Sequence, residues 1–192
     1  MNEQFWWYLA RSSGLVAWAL LAASLIWGVL LATKLLAPDV RPAWTLDLHR
    51  WLGGLTIVMT GVHLAALIAD SYVTFTLADV LVPFASDYQR VGVALGVLGL
   101  WLAVAVQVSS LMLRRIPTRL WRRVHLASYA LVVVVSVHAV VVGTDALRGY
   151  YAGVTVALVL APLAAVAERL RHARNGRSPR PATARGATVR AD

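Results

Sequence analysis

Five long apolar runs dominate this sequence, and they decide what it can fold into. A stretch of about 20 apolar residues crosses the roughly 30 Å hydrocarbon core of a bilayer when it is helical. In lipid, every backbone N–H and C=O must find its partner inside the protein, which leaves helices as the expected solution. Spans are predicted over residues 15–36, 47–68, 91–113, 121–142 and 151–167. The chain is 59% hydrophobic and only 14% charged, a balance foreign to a soluble domain of 192 residues. The expected fold class is therefore all-α: a polytopic membrane helix bundle of about five spans, occupying residues 1–170. The first run is too long for the core of a signal peptide and counts as a span. Residues 171–192 form a basic tail rich in Arg, Pro, Ala and Gly, with almost nothing apolar to bury, and are expected to be disordered.

Basic residues set the expected orientation. The segment RRIPTRLWRR between the third and fourth spans carries Arg114, Arg115, Arg119, Arg122 and Arg123, and seven more arginines lie from Arg169 onward. With Lys34, Arg41 and Arg50, 15 of the 18 basic residues fall on one side. Only Arg11, Arg90 and Arg148 fall on the other. Because basic loops stay in the cytoplasm, the N-terminus is expected outside and the C-terminus inside a cytoplasmic (inner) membrane. The net charge of +9 is thus read as topology and contact with anionic lipid, with no nucleic acid as partner. There is no cysteine, which rules out thiolate metal sites and Cys-ligated iron–sulfur clusters. In the longer outer loop, Leu77, Val80, Leu81 and Phe84 recur at helical spacing, so a short amphipathic segment on the outer surface is expected.

Two of the spans carry paired histidines. LHRWLGGLTIVMTGVHL holds His49 and His63, and WRRVHLASYALVVVVSVHAVVVG holds His125 and His138. The fifth histidine, His172, sits in the charged tail and is read as solvated. Ionisable side chains inside a membrane are costly and usually mark function. A lone one reads equally well as an interior ring bonded across helices, but two matched pairs ask for more. At a rise of about 1.5 Å per residue, the two rings of each pair stand roughly 20 Å apart along the axis. The second and fourth spans run the same way, so His49 and His125 share one level, and His63 and His138 the other. Two levels of two imidazoles suit two b-type hemes, each held from both faces by facing helices. They suit zinc poorly, which needs three or four converging ligands. At about 100° per residue, 14 steps return within roughly 40° of the same face, whereas 13 steps fall roughly 140° away. A tilt or bulge near Ser136, or hemes on different sides of that helix, is expected to absorb the difference.

The neighbours fit this reading. Gly53, Gly54 and Gly61 remove bulk from the second span, for a porphyrin or for a packing helix. Arg50, Arg122 and Arg123 lie beside the inner pair and are candidates for propionate partners, a role they share with topology. Arg11 is the corresponding candidate at the outer level, and Trp44, Trp51 and Trp121 suit the interfacial belt.

The paired histidines at spacings of 14 and 13, with the second helix opening WRRVHLASY and closing HAVVVG, resemble the ferric-reductase-like transmembrane domain. That family includes the membrane halves of NADPH oxidases and ferric-chelate reductases, and MsrQ-type heme subunits. The resemblance covers about residues 11–166. It implies that His49, His63, His125 and His138 are axial ligands of two b hemes that carry electrons from the inner level to the outer. The family often has six spans with ligands on the third and fifth; here they fall on the second and fourth. Many members also carry a flavin- and nicotinamide-binding domain after the last span, and no G-x-G-x-x-G follows it here. The expected donor is therefore a separate flavoprotein, a diffusing flavin or a quinol, and the sequence does not choose an outer acceptor. On this reading the protein is the membrane subunit of an oxidoreductase that depends on a separate donor. The competing readings are a histidine-relay proton or ion transporter without heme, which would want acidic partners in the spans, and a purely structural membrane partner.

The charge pattern makes a direct prediction. Reporters fused in the 114–123 loop or after residue 175 should report a cytoplasmic location, and one in the 70–90 loop an external one; the reverse pattern would overturn the orientation.

Overall fold

The computed structural model describes residues 4–33, 43–143 and 146–175. Its described residues form six helices: α1 (Gln4–Thr33), α2 (Ala43–Ala69), α3 (Leu77–Leu81), α4 (Arg90–Leu111), α5 (Thr118–Val142) and α6 (Gly149–Asn175). All but α3 are long and apolar enough to cross a membrane, so the expectation of a five-span, all-helical multi-pass bundle is borne out. The helices outrun the apolar runs. α1 begins well before Leu15 and takes in Arg11 and Gly14. α6 continues past Ala167 to Asn175, into the stretch expected to be a disordered tail. Leu36 and residues 176–192 lie outside the described residues.

The bundle is two antiparallel hairpins with a sixth helix beside them. α1 packs along α2, and α4 along α5; α1 also touches α5 and α6. Small buried residues on α1, among them Ala10, Ser13, Ala17 and Ala22, let its neighbours come close. Trp27 Nε1 donates to the carbonyl of Thr45 at 2.7 Å, which ties the first hairpin together at the end where α2 begins. Trp18 is 3% exposed and donates its indole N–H to Ser136 Oγ of α5 at 3.0 Å, joining the two hairpins. Buried Pro162 sits inside α6. It removes one helix hydrogen bond, a loss that membrane helices accommodate where neighbours pack around it.

Two sequence expectations change here. α5 runs unbroken from Thr118 to Val142, with no bulge at Ser136, which instead accepts the Trp18 bond. The outer-loop helix is only Leu77–Leu81, and Phe84 lies beyond it with a φ of 66° in the left-handed region. α3 is fixed at its start by a capping box between Thr76 and Asp79. Hydrogen bonds from the Thr76 side chain and backbone hold the Asp79 carboxyl below its ordinary range. Its far end is held by Trp101, whose Nε1 donates to the Leu81 carbonyl at 2.9 Å. Trp101 lies about three turns along α4 from Arg90, so α3 hangs down the side of α4 rather than lying across its mouth.

Replacing Trp18 with Phe keeps the ring and leaves Ser136 Oγ without its donor. Thermal unfolding in detergent should show a loss of about 1 kcal/mol, while Trp51→Phe, at a residue 69% exposed, should change nothing.

Candidate heme-binding site

Each of the four span histidines leans on the partner helix of its own hairpin. His63 Nδ1 donates to the carbonyl of Ala10 at 2.7 Å, and His49 Nδ1 to that of Ser24 at 3.1 Å, both on α1. His138 Nδ1 donates to the carbonyl of Gly92 on α4 at 2.8 Å. In a helix these carbonyls already accept from the N–H four residues on, and a carbonyl oxygen has a second lone pair to offer. The ring can reach that lone pair because the residue four positions on is glycine. A Cβ on Gly14 would stand 3.0 Å from His63 Nδ1, one on Gly28 3.1 Å from His49 Cε1, and one on Gly96 2.7 Å from His138 Cε1. Three imidazoles therefore lie flush against a bare stretch of neighbouring backbone.

His125 differs. Its Nδ1 lies 3.4 Å from Ser110 Oγ on α4, and the Ser110 hydroxyl donates to the carbonyl of Val106 at 2.8 Å. Serine here occupies the register position that glycine holds in the other three.

The tautomer follows from the partners. A carbonyl only accepts, so Nδ1 carries the proton and Nε2 keeps its lone pair. Among the described residues, no Nε2 of these four rings has a hydrogen-bond partner. Anchoring one ring nitrogen to a carbonyl and leaving the other open is the arrangement of a metal-binding histidine. Across the bundle, the rings of His49 and His125 meet edge to face, with centroids 6.0 Å and planes 76° apart, though α2 and α5 make no extensive backbone contact. His63 and His138, docked on Ala10 and Gly92, belong to the opposite level. Among the described residues no three His, Cys, Asp or Glu side chains converge as a tetrahedral metal would need.

The end of the bundle near His125 is more elaborate than the sequence suggested. Trp121 stacks on the His125 ring at 5.1 Å with planes 23° apart, and its buried Nε1 has no hydrogen-bond partner. Arg169 of α6 hydrogen-bonds the Tyr129 hydroxyl, lies over the Tyr129 ring, and acts electrostatically on His125. Sequence reasoning counted Arg169 with the tail and Trp121 with the interface. The other arginines are less committed. Arg50 pairs with Asp47 at 3.1 Å on an exposed face, Arg122 and Arg123 are exposed at the start of α5, and Arg11 lies over the Trp7 ring. Of the glycines on α2, a Cβ on Gly53 would meet Gln107 Oε1 of α4, and Gly54 and Gly61 face open space. The glycines that meet the histidines are on α1 and α4. Their signal was present: Gly14 and Gly28 repeat the 14-residue spacing of His49 and His63.

The fold is a bundle of helices long and apolar enough to cross a membrane, with paired imidazoles carried on α2 and α5. Residues 13–136 match the family described as ferric reductase like transmembrane component, a match over more than half of the chain. The chain belongs to that family, one of membrane electron-transfer components that typically bind heme. The match takes in His49, His63 and His125 and stops two residues short of His138. No curated protein and no solved structure matches the chain. The residues fit heme on their own terms: the donors are all imidazole, each has an open Nε2, and glycine cradles seat three of the rings.

The cradles can be tested against each other. Gly96→Ala should force His138 away from the Gly92 carbonyl and cost about 1–3 kcal/mol in thermal unfolding. Gly61→Ala, with nothing near the added methyl, should be neutral or stabilising.

Proposed function

We propose that this chain is a diheme b-type cytochrome, the membrane subunit of an oxidoreductase that moves electrons across the cytoplasmic membrane. His49 and His125 hold one heme at the arginine-rich, cytoplasmic end, and His63 and His138 hold the other at the outer end. The observation that carries the proposal is the His49–His125 pair, ring centroids 6.0 Å apart, with each Nδ1 engaged by the partner helix of its own hairpin. Heme, when bound, supplies one-electron redox chemistry. The chain's part is to fix four rings in one tautomer, seat them without steric clash, and exclude water from the levels between. With two of these imidazoles holding each heme, the group would exchange electrons at its edge rather than bind a substrate at the iron. Trp121 Nε1, Arg169, Arg122, Arg123 and Arg50 at the inner end, and Arg11 at the outer, offer donors for propionates. The donor is a separate flavoprotein, a flavin or a quinol. The arginine-rich face rests on anionic lipid and would also steer an acidic donor, and the acceptor lies outside.

The test is the visible spectrum of purified protein, oxidised and dithionite-reduced, with a pyridine hemochrome count. Sharp bands of reduced low-spin b heme at close to two hemes per chain are expected. His49→Ala and His125→Ala should each lose the same heme, and His63→Ala and His138→Ala the other. No heme, from cells able to make and insert it, would sink the proposal and return the histidines to a relay or packing role.

A further inference from the structure

Three of the four Nδ1 atoms find a carbonyl four residues before a glycine. One of these, His49, also has the Ser24 hydroxyl at 3.4 Å, whereas the fourth, His125, has a serine hydroxyl and no carbonyl among its hydrogen-bond partners. The helix registers explain why. On α1 the accepting carbonyls, Ala10 and Ser24, are 14 residues apart, as are His63 and His49 on α2. The two helices therefore present matched rungs. On α4 the equivalent positions, Gly92 and Val106, are also 14 apart, but His138 and His125 on α5 are separated by 13. α5 is an unbroken helix, so the missing residue cannot be absorbed within it. His125 is therefore displaced by about 1.5 Å along the axis and turned by about 100° from the matched rung. With His138 seated on Gly92, the His125 ring cannot also lie flush on the Val106 carbonyl. Ser110 spans the gap: its hydroxyl donates to that carbonyl at 2.8 Å and so turns an oxygen lone pair toward Nδ1 at 3.4 Å.

We propose that Ser110 is the positioning residue for His125, its hydroxyl relaying the Val106 carbonyl to a ring that the 13-residue spacing holds out of direct reach. This rests on His125 being a heme ligand, the reading given above. It has an electronic consequence. An Nδ1–H bonded to an acceptor makes the imidazole a stronger donor at Nε2, which favours oxidised iron. The bond from His125 is the longest of the four and goes to a hydroxyl rather than a carbonyl, so the two hemes are inequivalent by construction. Ser110 touches neither iron nor porphyrin in this role; it acts through His125.

The experiment is a redox titration of the full chain, followed optically and by low-temperature EPR, for wild type and the variants Ser110→Ala, Ser110→Gly and Ser110→Thr. Ala and Gly should raise the midpoint potential of one heme and shift its low-spin signal, or release that heme alone, with the other unchanged. Gly should not restore the wild-type value, because opening the backbone does not correct the register. Thr keeps a hydroxyl that bonds the same carbonyl and should behave as wild type. Unchanged potentials and signals in both Ala and Gly, with two hemes retained, would overturn the assignment of Ser110. So would equal shifts in both hemes, or a Thr variant that behaves as Ala does. A wild-type protein with no heme would instead overturn the parent reading, which keeps the two failures distinct.

Discussion

An imidazole carries one N–H that must be bonded wherever water is absent. In this bundle that requirement is met by backbone: three ring N–H groups are donated to carbonyls of the neighbouring helix. An unpaired buried donor would cost on the order of 1–3 kcal/mol, and four of them would tax a bundle whose helices gain little from hydrophobic burial in lipid. Satisfying the N–H at the back of each ring also settles the tautomer and the direction of the remaining lone pair. The pairing of helices into hairpins, the bare glycine positions and the orientation of the rings all follow from that single need.

In each hairpin a helix of small residues supports a helix of histidines. The rungs follow a 14-residue repeat on α1, α2 and α4, which brings a helix nearly back to the same face, whereas the histidines of α5 stand 13 apart. α1 does more than support. It also joins α5 through Trp18 and Ser136, and it packs against α6. α6 in turn brings Arg169 to Tyr129, one turn beyond His125 on the same helix. Each contact is short-range, yet together they set how far apart α2 and α5 stand.

Much of this was legible in the sequence. Hydropathy gave the spans, because lipid leaves the backbone few alternatives, and histidine spacing gave the two levels. The mismatch between 14 and 13 was visible too. Of the remedies the sequence offered, a bulge on α5 near Ser136 is absent, and the Ser110 hydroxyl on α4, which lies 3.4 Å from His125 Nδ1, was not foreseen from one helix alone. Gly14, Gly28 and Gly96 escaped notice because a glycine in an apolar run means nothing until the register of its partner helix is known. Arg169 was assigned to the tail because charge marked the end of hydropathy, while the helix itself runs on to Asn175. The short outer helix was legible from the spacing of Leu77, Val80 and Leu81, but spacing alone cannot register the left-handed turn at Phe84 or the hold of Trp101 on Leu81.

The division of the four rings between hairpins also bears on biogenesis. Each hairpin supplies one ring to each level, so neither can grip anything between the levels by itself. Both rings of the α1–α2 hairpin bond to α1 alone, so that hairpin would be able to satisfy them before α4 and α5 arrive. Because α2 and α5 make little backbone contact of their own, an occupant of the gap would act as mortar between two prefabricated walls.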